Sequence, residues 1–246
     1  MDPKYALLYK KLYDEHWWWR AREDFILSTV ESLHESGTRG AILDVGCGDG
    51  LVFEKLSRFG SVEGIEMDPT AVVPTGPWAS RIHVHPFDES FQPGHRYALV
   101  LLLDVLEHFA DPLSRLRYAL ELLEPHGAIL VTVPAFRALW TSHDVLNHHF
   151  TRYTRGSLED LAHRAGAHVE TSRYFFQWMI PFKLAVRLKE SVFRPVPDTP
   201  RIPPAWLNRA LYRLSRLEQK TISRWRIPFG SSLLAVLRRE DAFSAR

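Results

Sequence analysis

The chain has 246 residues, 46% apolar and 24% charged, with a formal net charge of +2, an ordinary balance for one α/β domain with an elaboration and a large core. A single cysteine, Cys47, excludes an internal disulfide and points to a reducing, cytoplasmic compartment. Lysines and carboxylates interrupt every apolar run near the start, so no signal peptide is expected. No segment reaches the roughly 18–20 apolar residues of a membrane span.

From Tyr5 to Leu33 the pattern predicts one or two helices, centred on His16-Trp17-Trp18-Trp19-Arg20-Ala21-Arg22. Neighbours on a helix are about 100° apart, so three adjacent tryptophans cannot all face one core. The segment is either a hydrophobic staple on the domain or a lid over a ligand. Ala41 to Val45 then reads as a buried parallel strand with one carboxylate, Asp44. Gly46, Gly48 and Gly50 follow at alternate positions, and helical spacing resumes at Leu51. Strand, glycine turn and helix form the first unit of a doubly wound nucleotide-binding sheet. Glu66 closes a second short strand twenty residues past Gly46, where a carboxylate can accept both hydrogens of a ribose diol. Leu51 stands where a dinucleotide fingerprint has its third glycine, which disfavours a seated pyrophosphate and a nicotinamide-dependent oxidoreductase. Cys47, inside the loop, reads as a small filler rather than a nucleophile.

Pro74, Gly76 and Pro77 mark a shortened second crossover. Strand three spans Arg81 to His85 and leads to Phe87-Asp88. Strand four, Tyr97 to Asp104, is a continuous apolar run ending in Asp104-Val105-Leu106-Glu107-His108. Asp111 and Pro112 are cap and first residue of a helix to Leu123, and Ala128 to Val133 is strand five. A polar, aromatic, histidine-rich insertion fills 135–156. Strands six (Val169 to Phe176) and seven (Ser231 to Arg238) are separated by roughly fifty residues that contain a helix from Ala205 to about Arg226. Residues 183–246 hold 14 Lys and Arg against 5 Asp and Glu, so this part is strongly basic and the remainder acidic. On the 205–226 helix, Leu207, Leu211, Leu214, Ile222 and Trp225 fall opposite Arg209, Arg213, Arg216, Lys220 and Arg224, with Glu218 among the apolar set. A solvated basic face is the plain reading. A membrane surface or a second copy of the chain are the others. No base-reading motif accompanies the stripe, so no nucleic acid is expected.

The Asp44-x-Gly46-x-Gly48-x-Gly50 motif resembles the first motif of class I S-adenosylmethionine-dependent methyltransferases. Asp104 to His108 is similar to the Asp-Val-Leu-Glu-His motif of methyltransferases of quinone biosynthesis. His149, Arg152 and Tyr153 resemble a His-x-Arg-Arg-Tyr element of one branch, with Thr151 departing from it. The resemblance implies a doubly wound, Rossmann-like seven-stranded sheet of order 3-2-1-4-5-7-6 with strand seven antiparallel. It divides the chain into an N-terminal helical lid (1–38), a cofactor-binding domain (39–180 with 229–242) and a basic helical insert (181–228). It implies S-adenosyl-L-methionine held by Asp44, Gly46, Cys47, Gly48, Gly50, Glu66, Met67, Phe87, Asp88, Asp104 and Val105, with Trp18 and Arg22 covering the sulfonium and the carboxylate. His149 is the expected base, with His108 in reserve and Arg152 and Tyr153 beside it. Each of these side chains could instead only bond the insertion's own backbone. No metal is expected, since His143, Asp144, His148 and His149 lack a recognised ligand spacing. The expected acceptor is small or lipid-linked, with O-methylation favoured over C- or N-methylation. A membrane-recruited, cofactor-binding module without turnover is the alternative. The expected setting is cytoplasmic, with peripheral contact to an anionic inner membrane face and a homodimer as further expectations.

Overall fold

The computed structural model describes residues 10–193, 201–221, 225 and 227–240. Ile42-Leu43-Asp44-Val45 forms β1 (Ile42–Val45), buried at every residue. A strand covered on both faces needs few polar side chains, and one between two parallel neighbours needs no turn of its own. Those neighbours are β2 (Val62–Glu66) and β4 (Tyr97–Leu103), both parallel to β1. β3 (Ile82–Val84) lies outside β2, and β5 (Leu123–Pro134) runs parallel to β4. β7 (Ser232–Arg239) enters antiparallel between β5 and β6 (Ala167–Phe175). The sheet order is β3-β2-β1-β4-β5-β7-β6, as the sequence resemblance implies.

Successive strand residues point to opposite faces, which explains the unbroken apolar run of β4. Leu99 and Leu101 face α1 (Trp17–Glu35), where Phe25, Ile26 and Val30 are buried. Val100 and Leu102 face the side covered by α3 (Pro112–Glu121) and α5 (Arg155–Ala165), through Leu116, Leu158 and Leu161. The α3 cap forms as its sequence predicts: Asp111 Oδ1 accepts the amides of Leu113 and Ser114, each at 3.2 Å.

Several boundaries depart from expectation. The helix after the glycine loop is a single turn, α2 (Phe53–Leu56), because Gly50 is still left-handed at φ +69° and the chain must turn before it can coil. α3 ends at Glu121, and β5 begins at Leu123, pairs with Tyr97, shifts register and resumes at Ala128. The insertion contains a helix absent from the sequence reading, α4 (Ser142–Leu146), with a capping box between Thr141 and Asp144. Two amphipathic helices lie between β6 and β7: α6 (Ile180–Phe193) and α7 (Ala205–Lys220). Ile222 and Arg224, expected on α7, lie outside the described residues.

α7 also corrects its own helical wheel. The face docked on α1 carries Ser215, Glu218 and Gln219, all buried, while Trp206, Leu214 and Leu217 are exposed. α1 presents polar partners here, so polar side chains are what the interface selects. Gln219 Nε2 donates to the Ala21 carbonyl at 2.9 Å, and the Tyr212 hydroxyl to Asp24 at 2.6 Å. The Glu218 carboxylate accepts the Trp178 amide at 3.1 Å, the pairing its burial requires. Arg216 is drawn in towards Asp24 at 3.4 Å, leaving Arg209, Arg213 and Lys220 as exposed cations.

One close approach fixes how the glycine loop sits on the sheet. A Cβ on Gly64 of β2 would lie 2.4 Å from Cys47 Sγ and 2.6 Å from Phe53 Cζ. Gly64→Ala must push the loop and α2 off the sheet, at a cost of about 1–3 kcal/mol typical of overpacking. Urea denaturation should show that loss, and an unchanged midpoint would refute it.

Candidate active site

Open parallel sheets bind ligands beyond the carboxyl ends of their strands, and the motif residues gather there. Gly46 leaves β1 at φ +69°, and a Cβ on it would stand 3.1 Å from Val105 Cγ2. Only a bare backbone fits between the end of β1 and the turn after β4. Glu66 Oε2 accepts the Gly48 amide and its Oε1 the Asp68 amide, each at 2.9 Å. A carboxylate has about four lone-pair sites, so Glu66 pins the loop and keeps acceptor capacity for a diol. Met67, beside it, is exposed, and Phe87 is buried in the core below. Asp88 is tied into its own turn, accepting the Ser90 amide at 3.0 Å, and these Ser90 bonds hold its carboxyl below the usual range. Burial pushes the Cys47 thiol up, which suits a filler and not a thiolate nucleophile.

Asp44 is buried, and burial pushes its carboxyl up to about 7 against the opposing charge of Arg22. Arg22 reaches from α1 to Asp104 Oδ2 at 2.9 Å and to Thr132 Oγ1 at 2.9 Å, and that hydroxyl donates to Asp104 Oδ1 at 3.1 Å. α1, β4 and β5 are thereby joined at one point. The Trp18 ring lies 5.8 Å from the Arg22 guanidinium and stacks on Phe176 at 5.9 Å. Trp17 is turned inward against Phe176 and Trp178, so the three tryptophans divide between core and site edge.

The insertion is organised by Asp144, which is fully buried. Arg152 Nε donates to its Oδ1 and Arg152 Nη2 to its Oδ2, each at 2.8 Å, and His149 Nδ1 lies 2.9 Å from Oδ1. Burial alone would raise this carboxyl. The His149 and Arg152 bonds outweigh it and hold Asp144 well below the usual range, so it is ionised. An ionised carboxylate only accepts, so His149 Nδ1 carries a proton and donates it to Asp144. Arg152 and Tyr153, expected beside the reacting atoms, are instead buried. Arg152 also donates to the Ala135 carbonyl at 3.1 Å, and the Tyr153 hydroxyl to that of Leu106 at 3.4 Å.

His108 meets His149 edge to face at 4.7 Å, and burial, then the His149 charge, lowers its pKa, keeping its ring neutral near pH 7. Glu107 completes the group. It is fully buried, and neither carboxylate oxygen has a hydrogen-bond partner among the described residues. Burial, then the nearby charge of Asp104, raises its carboxyl well above the usual range. Glu107, His108 and His149 each offer one ligand atom, all within 4.8 Å of one another, and this is the cluster with metal-ligand geometry among the described residues. It differs from the His143, Asp144, His148, His149 set weighed on sequence alone. Glu107 was legible as the fourth residue of the Asp104 to His108 motif. Asp144 and Thr132 carry no local sequence signal for their roles.

The model of the methyltransferase-domain family matches residues 18–172, more than half of the chain. The chain belongs to that family. The glycine loop with Glu66 fits S-adenosylmethionine as the cofactor. Among curated relatives, the ubiquinone biosynthesis O-methyltransferase of Azorhizobium caulinodans is 36% identical over 98 residues, 37% of this chain and 39% of that protein. That of Vibrio vulnificus YJ016 is 29% identical over 116 residues, covering 44% and 48%. The matches therefore span less than half the length of these relatives. A Haloferax volcanii putative methyltransferase, solved with the Trm112 methyltransferase activator, superposes with TM-score 0.56 at 19% identity, over 96% of this chain and 94% of that one. A putative sarcosine dimethylglycine methyltransferase from Galdieria sulphuraria gives 0.55 at 14% identity, over 89% and 84%. At these identities the structures establish the fold alone.

Glu66→Ala unpins the loop and removes the carboxylate expected to accept the ribose diol. S-adenosylmethionine binding should weaken by about 1.5–3 kcal/mol, the range for hydrogen bonds to a charged group. Calorimetry showing unaltered affinity would remove Glu66 from the cofactor site.

Proposed function

We propose that the protein transfers the methyl group of S-adenosylmethionine to a hydroxyl oxygen of a small or lipid-linked acceptor. The observation that carries this reading is the Asp144–His149 pair. A buried, ionised carboxylate orients the ring and leaves Nε2 as the proton acceptor, the arrangement a base needs. A neutral amine already has a free lone pair and needs no such base, whereas a hydroxyl near pH 7 does. The cofactor supplies an electrophilic methyl on a sulfonium. Asp44, Asp104 and Arg22 bind its amino-acid end, Glu66 its ribose, and Trp18 closes over the cation. His149 Nε2 would take the hydroxyl proton, and the bound cofactor would supply the methyl group to that oxygen and be released as S-adenosylhomocysteine. Arg152 and Tyr153 position the insertion. The curated relatives are named as O-methyltransferases, which supports this reading.

A second reading keeps the acceptor and gives its activation to a divalent cation. The unpartnered carboxylate of Glu107 favours it, with His108 and His149 completing the donor set and Asp144 orienting His149 from behind. One experiment separates the two. On the first reading, His149→Ala lowers turnover by roughly 10²–10⁴ with cofactor affinity intact, while chelator and Glu107→Gln have little effect. On the second, chelator abolishes turnover, added metal restores it, and Glu107→Gln is as inactive as His149→Ala. Full activity of His149→Ala in chelator would sink both.

The lipid-linked form of the acceptor is supported by the surface beside the site. α6 exposes Phe182 (63%) and Leu188 (69%), and α7 exposes Trp206 (73%) and Leu217 (60%), alongside Arg209, Arg213 and Lys220. Apolar side chains among cations suit an anionic interface, where each Lys or Arg contributes about 1 kcal/mol. No helix among the described residues is long and apolar enough to cross a membrane. The protein should sediment with anionic vesicles at low salt. Binding should be lost at high salt or when Arg209, Arg213 and Lys220 become Gln. Equal indifference to anionic and neutral vesicles would leave the face to a second copy of the chain.

A further inference from the structure

α6 buries its residues in the reverse of the usual sense. From Pro181 to Lys189 every residue is exposed, Phe182, Leu184, Val186 and Leu188 included, except Lys183. The half-buried lysine marks the face by which this helix docks, because residues four and seven places on share that face. Arg187 donates to the carbonyls of Arg137 at 3.0 Å and Ala138 at 2.6 Å. Glu190 accepts the amide and the hydroxyl of Ser142, each at 2.8 Å. These bonds clamp the helix on the insertion, and Lys183, one turn earlier, continues the same face towards the site.

Unlike Arg187 and Glu190, Lys183 has no hydrogen bond or salt bridge among the described residues. The docking of α6 at Ser142, two residues before Asp144, sets this face against the part of the insertion that carries Asp144 and His149, and the Lys183 charge acts on Asp144, Asp104, Arg152 and His143. Neither carboxylate there is available to it. Asp144 is held by Arg152 and His149, and Asp104 by Arg22 and Thr132. Burial, reinforced by the Arg152 charge, pulls the ammonium down to about 8, so it remains largely charged at neutral pH. A cation withdrawn from water without a counter-ion is costly to keep. The chain had fully exposed positions on the same helix for it, yet half-buries it and leaves Phe182 and Leu184 exposed.

We propose that Lys183 is the anchor for an anionic oxygen group, a carboxylate or a phosphate, carried by the acceptor. The acceptor would lie with its acid on Lys183 and its reacting atom towards His149, and any apolar tail would leave along the exposed side of α6. This rests on the acceptor entering beside His149, but not on oxygen being the atom methylated.

The test needs no turnover and so can fail independently of the His149 experiment. The full chain, loaded with S-adenosylhomocysteine, is titrated calorimetrically with 4-hydroxybenzoate, phenyl phosphate and methyl 4-hydroxybenzoate, each to about 10 mM, enough to fill a millimolar site. In parallel, trace acetylation of lysines is read by mass spectrometry. At least one acid should bind and protect Lys183 about fivefold or more, a protection judged against the roughly tenfold change that 1.4 kcal/mol represents, while the neutral ester does neither. Which acid binds distinguishes carboxylate from phosphate. Lys183→Met should lose acid binding by about tenfold or more, and Lys183→Arg should keep it. Equal behaviour of acid and ester, no binding by either acid, or retention in Lys183→Met overturns the proposal.

Discussion

Everything at the functional edge depends on strands that stop abruptly at a common line. β1, β4, β5 and β6 all point their carboxyl ends the same way, and each is followed by a left-handed residue: Gly46 at φ +69°, Asp104 at +59°, Phe136 at +56° and Phe176 at +57°. The three non-glycine positions cost about 1–3 kcal/mol each, and surrounding structure must hold them there. The reversals turn Asp104 towards Arg22 and Thr132, and set Phe136 against Tyr174 and Phe176 against Trp18. Without them the strands would run on, and the ligating groups would spread along the chain instead of meeting.

Two ionic centres, of which only the Asp144 one is fully buried, then hold the site together. At one, Arg22 bridges Asp104 and Thr132, so the N-terminal helix, β4 and β5 share a single cation. At the other, Asp144 takes both Arg152 and His149, so the whole insertion closes on one carboxylate. Removing one partner of such a centre leaves a charge buried alone, and that costs more than the pair contributes. Glu107, His108 and His149 gather beside the second centre. The paired charges hold the structure, while Glu107 is buried with its carboxyl held towards the neutral form.

The N-terminal and C-terminal helices close over this edge as one unit. Asn208 Oδ1 accepts the Trp17 amide at 2.9 Å, and its Nδ2 donates to the Glu15 carbonyl at 2.8 Å. Trp178 gives its amide to Glu218 and its indole N–H to Ser215, and its ring meets Trp17 at 5.3 Å. The tryptophan segment is therefore bonded to α7, and through α7 to the exposed apolar and basic surface. Cover and surface are mechanically joined.

The sequence by itself determined the strands, the glycine loop with its acid at Glu66, and the placing of Asp44, Asp104 and His108 at one edge, while the order of the strands came from the family resemblance. The former are local patterns: apolar runs, glycines that permit a turn, a carboxylate at a strand end. Tertiary structure alone decided that α7 buries Ser215 and Gln219 and exposes Leu214 and Leu217, that α6 half-buries a lysine, and that Arg152 and Tyr153 face inward. Reading a helix by hydrophobic period assumes that its buried face is apolar. That holds when the opposing surface is apolar, and fails when it presents fixed donors and acceptors. Here those groups come from residues such as Ala21 and Asp24, nearly two hundred positions away in the chain. No local pattern records such a partner, because the hydrogen bonds exist only once the sheet has brought the two ends of the chain together.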